Sequence, residues 1–133
     1  AVAAVRETFE ETGLLVASGA SENDQWHNKI GPLLGSMDYF FRAITPPNRI
    51  RRFDARFFSV QASEARGVLG GDGELKNLDW FTLNEISKLE MASITRIALA
   101  EFRRIFTGTS LHNSNRLIPV SRYIRGQYKI TME

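Results

Sequence analysis

Apolar residues recur at helical spacing where the chain begins: Val2, Val5 and Phe9 fall on one stripe and Gly13 follows as a C-terminal stop. This pattern predicts a short helix over residues 2–12 with one buried face. Residues 14–17 then read as a short buried strand, and residues 18–29 are polar enough to form a loop. Gly31, Pro32 and Gly35 break the next stretch, 30–34, so that no element is assigned to it. Residues 37–44, with Tyr39, Phe40 and Phe41, predict a strand that Pro46 and Pro47 end. Over 52–61, Phe53, Ala55 and Phe57 alternate on one face and Phe58 and Val60 on the other. That predicts a strand covered on both sides and paired with the previous one, as a hairpin or as a neighbour in the same sheet.

Downstream, residues 67–73 are a glycine-rich loop, and residues 75–81 predict another strand closing at Trp80 and Phe81. Thr82 followed three residues later by Glu85 has the spacing of a capping box and starts a short helix running to Leu89. Ser93 caps a longer helix whose stripe is Ile94, Ile97, Ala98, Phe102 and Ile105, ending at Gly108. The tail predicts a strand over 117–120 and a hairpin over 123–131 that turns near Gly126. Strands with helices before, between and after them indicate an α+β fold or a three-layer α/β/α arrangement. Neither a repeat nor a linker divides the chain, and the expectation is a single domain over 1–133.

Composition narrows the function classes. With 133 residues, 43% of them hydrophobic, the chain can bury a core without a disulfide or zinc staple. It contains no cysteine, which excludes a disulfide framework, thiolate metal sites and a cysteine nucleophile, and agrees with a reducing, cytoplasmic location. No apolar run approaches the roughly 20 residues that span a bilayer, and no secretory signal pattern is present, so no membrane partner is expected. The first residue is Ala1 rather than Met, inside what already reads as a helix, and this predicts that a segment precedes it. The formal charge is +2, from 17 basic and 15 acidic residues, a weak electrostatic case for nucleic acid. Arginine supplies 13 of the 17 cations, with Arg49, Arg51, Arg52 and Arg56 close together. Such planar forks suit phosphate or carboxylate; the alternative is a solvated strand face.

The first helix carries the chemistry. Arg6, Glu7, Glu10 and Glu11 occupy two turns, and the three carboxylates, at i, i+3 and i+4, project from one face. Like charges at this spacing repel by a few tenths of a kcal/mol each, and they also oppose the helix dipole near its C-terminus. A divalent cation relieves that cost, and convergent carboxylate oxygens are what magnesium or manganese prefers. The alternative is a solvated acidic face with Arg6 paired to a neighbour.

The segment Arg6-Glu7-Thr8-Phe9-Glu10-Glu11-Thr12-Gly13-Leu14 matches in order the second half of the Nudix box, R-E-U-x-E-E-x-G-U, with Thr8 in an apolar slot. The chain thus resembles the Nudix hydrolases, which cleave nucleoside diphosphates linked to another group. Ala43-Ile44-Thr45-Pro46-Pro47, then Arg52-Phe53-Asp54-Ala55-Arg56-Phe57-Phe58, then Gly73-Glu74-Leu75 before Trp80, is similar to a subgroup that includes coenzyme A and acyl-coenzyme A diphosphatases. In that subgroup an insertion can separate the two halves of the box. The resemblance implies a Nudix-type α/β/α sandwich with a mixed sheet, here lacking its first strands, and places the Gly and Glu of the first half-box upstream of Arg6.

It also implies roles. Glu10 and Glu11 hold Mg²⁺ or Mn²⁺, with Glu11 the first choice; Glu7, oriented by Arg6, is the candidate base or a positioning carboxylate. A later loop glutamate, Glu74 in preference to Glu64, is the other candidate base or ligand. Arg52 and Arg56 share a strand face by alternation and are candidates for substrate phosphate, although pairing with Asp54 is an equal alternative. Trp80 and Phe81 are read as core, His27 and His112 as surface residues, and Tyr39, Phe40 and Phe41 as core, the alternative being that one of them faces a bound base. The expected activity is Mg²⁺-dependent hydrolysis of a diphosphate linkage in a nucleoside diphosphate derivative, coenzyme A-like, in a chain that can form a homodimer. The alternatives are a non-catalytic binding or regulatory module of the same fold, and an interaction domain whose acidic helix is only a solvated face.

Overall fold

A computed structural model describes residues 1–17, 34–45, 52–106 and 116–133. The fold is α+β, with three helices and a four-stranded mixed sheet among these residues. Two compact units are interleaved in the sequence: Ala1–Met37 with Val60–Phe81, and Asp38–Ser59 with Thr82–Glu133.

The first unit is built around helix α1, Val2–Thr12, which ends where Gly13 adopts φ 76°. Val5 is buried and Phe9 half-buried, but Val2, in the opening turn, is exposed. Residues 14–17 carry isolated bridges at Leu15 and Ala17 instead of the predicted continuous strand; Leu15 bridges Arg66 antiparallel, with N···O distances of 2.8 and 2.9 Å in the two directions. Leu15, Val16 and Ala17 are nevertheless buried. Short 3₁₀ turns occur at Leu34–Ser36 and Ala62–Glu64.

Residues 75–81 also depart from the strand expectation. Asn77 takes φ 58°, which interrupts an extended run, and the Trp80 amide turns onto the side chain of its neighbour Asp79 at 2.7 Å instead of a partner strand. Trp80 and Phe81 are accordingly 63% and 47% exposed rather than core residues.

The second unit holds the sheet. Strands β1 (Asp38–Ile44) and β2 (Asp54–Ser59) pair antiparallel, β1 runs parallel to β3 (Pro119–Ile124), and β3 pairs antiparallel with β4 (Gln127–Met132), giving the order β2-β1-β3-β4. The tail is thus one hairpin over 119–132, longer than predicted. Its turn residues Arg125 and Gly126 both have positive φ, 51° and 83°, as a two-residue hairpin turn with the twist of the flanking strands requires.

Strand β1 carries a bulge. Its register passes from Tyr39 opposite Phe58 to Phe41 opposite Phe57, leaving Phe40 as the extra residue. Both Phe40 and Phe41 therefore reach the Phe57 ring, at centroid separations of 6.4 and 5.4 Å, which strict alternation forbids. Helix α3, Ser93–Phe106, covers this aromatic group: Phe102 and Phe106 meet Phe40 edge-on at 5.4 and 6.0 Å, and Ile94, Ile97, Ala98 and Ile105 complete the predicted stripe. The Ala92 carbonyl accepts the Arg96 amide at 3.1 Å, so Ser93 is the first helical residue rather than the cap. Helix α2 is a single turn, Leu83–Ile86, shorter than predicted but opened by the expected reciprocal Thr82–Glu85 capping box.

Candidate functional site

An α-helix leaves its last four carbonyls without intrahelical partners, and at the end of α1 each of them meets a glycine or the glycine-rich loop. The Phe9 carbonyl accepts from the Gly13 amide at 2.8 Å. The Glu10 carbonyl accepts from the Asp72 amide at 2.8 Å, and the Thr12 carbonyl from the Gly70 amide at 3.0 Å. The remaining one, on Glu11, lies against Gly71 so closely that a Cβ there would come within 2.0 Å of it.

Gly13 and Gly67 are in the same position with respect to each other's surroundings. A Cβ on Gly13 would meet the Val68 carbonyl oxygen at 2.4 Å, and one on Gly67 the Gly13 oxygen at 2.3 Å. Gly13, Gly67 and Gly71 also have positive φ. The glycines thus serve a backbone-to-backbone approach that seats residues 67–72 on the carboxylate-bearing end of α1.

On that end, Arg6 Nη2 donates to Glu7 Oε1 at 2.5 Å, and its Nε lies 3.9 Å from Glu10 Oε2. The hydrogen bond to Glu7, followed by the charges of Glu10 and Glu7, raises the Arg6 pKa above its ordinary value, so this cation is permanent. The Arg6, Glu7 and Glu10 side chains are each about half exposed (49%, 51% and 48%), and Glu11 is half-buried. Thr12 closes the helix from within: its hydroxyl donates to the Thr8 carbonyl at 2.6 Å and accepts from the Leu14 amide at 3.2 Å.

The structure therefore brings Arg6, Glu7 and Glu10 together, keeps Glu11 on the last turn of the same helix, and places Glu74 two residues beyond the Asp72 amide that bonds Glu10. Asp72 Oδ1 accepts the Glu74 amide at 3.0 Å, fixing the turn between them. Asp72 was not among the sequence candidates, although a Gly-Asp-Gly context with a backbone donor two residues on is the signature of an Asx turn. Glu64 sits instead on the 3₁₀ turn Ala62–Glu64, exposed, its amide donating to Gln61.

Arg52 and Arg56 belong to the other unit. Arg56 is exposed on β2 opposite Arg42, and Arg52 is exposed just before the strand. Asp54 pairs with neither: Arg42 Nε and Nη2 donate to its two carboxylate oxygens, both at 2.7 Å. The sequence reading overlooked Arg42, whose cross-strand role appears only once the β1–β2 register is known. His27 and His112 lie outside the described residues, as do Pro46 and Pro47.

The family model for the NUDIX domain matches residues 1–102, three quarters of the chain. The chain belongs to the Nudix family. No curated protein and no solved structure matches it significantly. Nudix membership supports a hydrolase-type function on nucleoside diphosphate derivatives in general, and the matched span includes both α1 and the loop seated on it.

The donor set on α1 of this Nudix domain consists of hard carboxylate oxygens, the type that suits Mg²⁺ or Mn²⁺ and not softer metals. Among the described residues, however, no three Asp, Glu, His or Cys side chains converge as a ready-made cage. A cation held there would take one or two protein carboxylates and complete its shell with water and substrate oxygens, the usual habit of magnesium. Among the described residues no helix is long and apolar enough to cross a membrane.

Proposed function

We propose that this Nudix chain is a divalent-cation-dependent diphosphatase acting on a nucleoside diphosphate derivative, coenzyme A-like, in the cytoplasm, and that it can form a homodimer. The observation that carries the reading is the end of α1, where Glu7 and Glu10 are exposed, Glu11 is half-buried, and the glycine loop bearing Asp72 and Glu74 is hydrogen-bonded to the backbone carbonyls of Glu10 and Thr12. In this reading Glu11 and Glu10 hold Mg²⁺, which when bound neutralises diphosphate charge and lowers the pKa of a coordinated water. Glu7, kept in place by Arg6, accepts the proton of the attacking water; Glu74 is the second candidate for that role. Arg52 and Arg56, both exposed, are the candidates for contacts to anionic groups of the substrate. The subgroup assignment rests on the Ala43–Pro47, Arg52–Phe58 and Gly73–Leu75 segments.

A second reading, a non-catalytic Nudix-fold binding module, is favoured by one observation: Arg6 already engages Glu7 and Glu10. Phosphate or nucleotide release from coenzyme A, a sugar nucleotide and a dinucleoside diphosphate, with and without Mg²⁺, separates the two. The enzymatic reading expects Mg²⁺-dependent turnover of at least one of them. It expects Glu11→Gln to lower kcat/KM more than the roughly 10–100-fold typical of residues that only orient a ligand. Glu7→Gln should lower kcat by about 10²-fold or more while Mn²⁺ affinity, read by titration, stays unchanged. Binding of the same compounds without turnover in any metal would establish the module instead.

A further inference from the structure

Helix α3 is apolar on two sides. The stripe of Ile94, Ile97, Ala98, Phe102 and Ile105 packs on the sheet, while Leu99 and Ala100 point the other way, toward Leu83 and Ile86 of α2 and Met91 of the connecting turn. Because α2 is one turn long and Ala100 is small, the two helices do not close on each other. They leave a cavity of about 370 Å³. It is lined by apolar side chains, Ser87 and three cations, Arg96, Arg103 and Arg104, and by no acidic residue.

The arginines are placed by helical repeat, Arg96 one turn before Ala100 and Arg103 and Arg104 one turn after it. Arg103 donates to Asn84 Oδ1 at 2.9 Å, which ties α3 to α2 across the cavity. Arg104 is paired with Glu101 at 2.9 Å. Arg96 forms no ion pair among the described residues, so no described residue offsets its charge at the opening.

We propose that this cavity binds a small amphipathic anion, an aliphatic tail among Leu83, Ile86, Met91 and Leu99 with a carboxylate or phosphate head against Arg96. The apolar walls select the tail and the arginines select the sign of the head. The volume falls at the lower end of the few hundred Å³ usual for small-molecule sites, which favours such a ligand over a macromolecular segment. The site uses none of the residues assigned to diphosphate hydrolysis, so the proposal stands whether or not the chain is an enzyme.

The protein has three methionines, Met37, Met91 and Met132, and only Met91 lines the cavity. Methyl-labelled methionine therefore gives one reporting signal and two controls. Titration with octanoate or octyl phosphate should move the Met91 resonance saturably and leave Met37 and Met132 in place; the stronger of the two identifies the head group. Arg96→Gln should weaken binding about tenfold, the scale of one charge-assisted hydrogen bond, and Ala100→Phe should abolish it, with the control signals reporting that each variant is folded. The proposal is overturned if Met91 responds to neither probe, if octyltrimethylammonium binds as well as the anions, or if Ala100→Phe binds unchanged. A Met91 shift that follows protein concentration without added ligand would also overturn it, by giving the cavity to a second copy of the chain.

Discussion

Three glycines set the geometry of the candidate site, and they are not equivalent to the other glycines of the same loop. Gly71 has φ 55° and no room for a Cβ, which would sit 2.0 Å from the Glu11 oxygen, whereas Gly70 has its nearest neighbour, the Val68 oxygen, at 3.9 Å. Gly71→Ala should therefore force the loop away from α1, break the Asp72-to-Glu10 bond, and cost about 1–3 kcal/mol in urea denaturation. Gly70→Ala should stay within about 0.5 kcal/mol, since it keeps the amide that bonds Thr12 and adds no clash. Equal effects of the two substitutions would remove the argument for close approach. At this scale the sequence was informative where the signal was local: Arg6 reaches Glu10 because i and i+4 share a helix face whatever surrounds them. The part played by Asp72 and the pairing of Arg42 with Asp54 were hidden, because each depends on which backbone lies opposite, and that is decided by loop closure and strand register.

Elements were legible in proportion to how far their own residues dictate them. Helix α3 follows its stripe and the capping box of α2 forms as spaced, but the length of α2 does not follow, because after Ile86 the chain turns and no apolar period holds it helical. The box itself contributes: Thr82 Oγ1 accepts the Glu85 amide at 3.2 Å, and Glu85 Oε2 accepts from the Thr82 hydroxyl at 2.7 Å and from the Thr82 amide at 2.8 Å, two bonds that, the hydroxyl's first, lower the Glu85 pKa. Thr82→Ala should destabilise the chain by about 1 kcal/mol, measured by thermal or urea unfolding, and Thr82→Ser should recover most of that loss. The misread elements share a cause. Residues 14–17 and 75–81 have strand-like composition, but a strand exists only if a partner offers a ladder. Among the described residues the first segment shows isolated bridges at Leu15 and Ala17 instead of a ladder, and the second is diverted by Asn77 and Asp79. In β1 the bulge at Phe40 breaks the period-two rule in the reverse sense, putting two consecutive aromatics into one core.

On the scale of the whole sheet, a line of charge joins all four strands. Asp54, the first residue of β2, is held by Arg42 on β1; Arg42 Nη1 also reaches Glu133 at 3.0 Å; Glu133 is held in turn by Arg122 on β3, and Arg122 donates to Thr131 on β4 at 2.7 Å. The Arg42 and Arg122 guanidinium groups keep the Asp54 and Glu133 carboxyls below their ordinary pKa values, and Arg42 itself is raised, so it stays charged throughout the acid range. The sign follows from linkage. A carboxyl whose pKa is lower in the folded than in the unfolded chain lends stability that is complete above its unfolded pKa, about 4, and is lost as pH falls through the folded value. The urea midpoint should therefore decline on acidification below about pH 5, where the unfolded chain begins to take up protons that the folded chain refuses. In Arg42→Gln both carboxyls lose a partner and their folded pKa values rise toward the unfolded ones. That variant should be less stable at neutral pH, yet its midpoint should fall less steeply between about pH 5 and pH 3, so that the two curves converge. Added salt should narrow the neutral-pH gap, because these groups are only partly shielded from solvent. Parallel curves across that range would mean that the Arg42 network does not couple the strands to protonation, and that the sheet is held by the Phe40, Phe41 and Phe57 cluster and its backbone ladder alone.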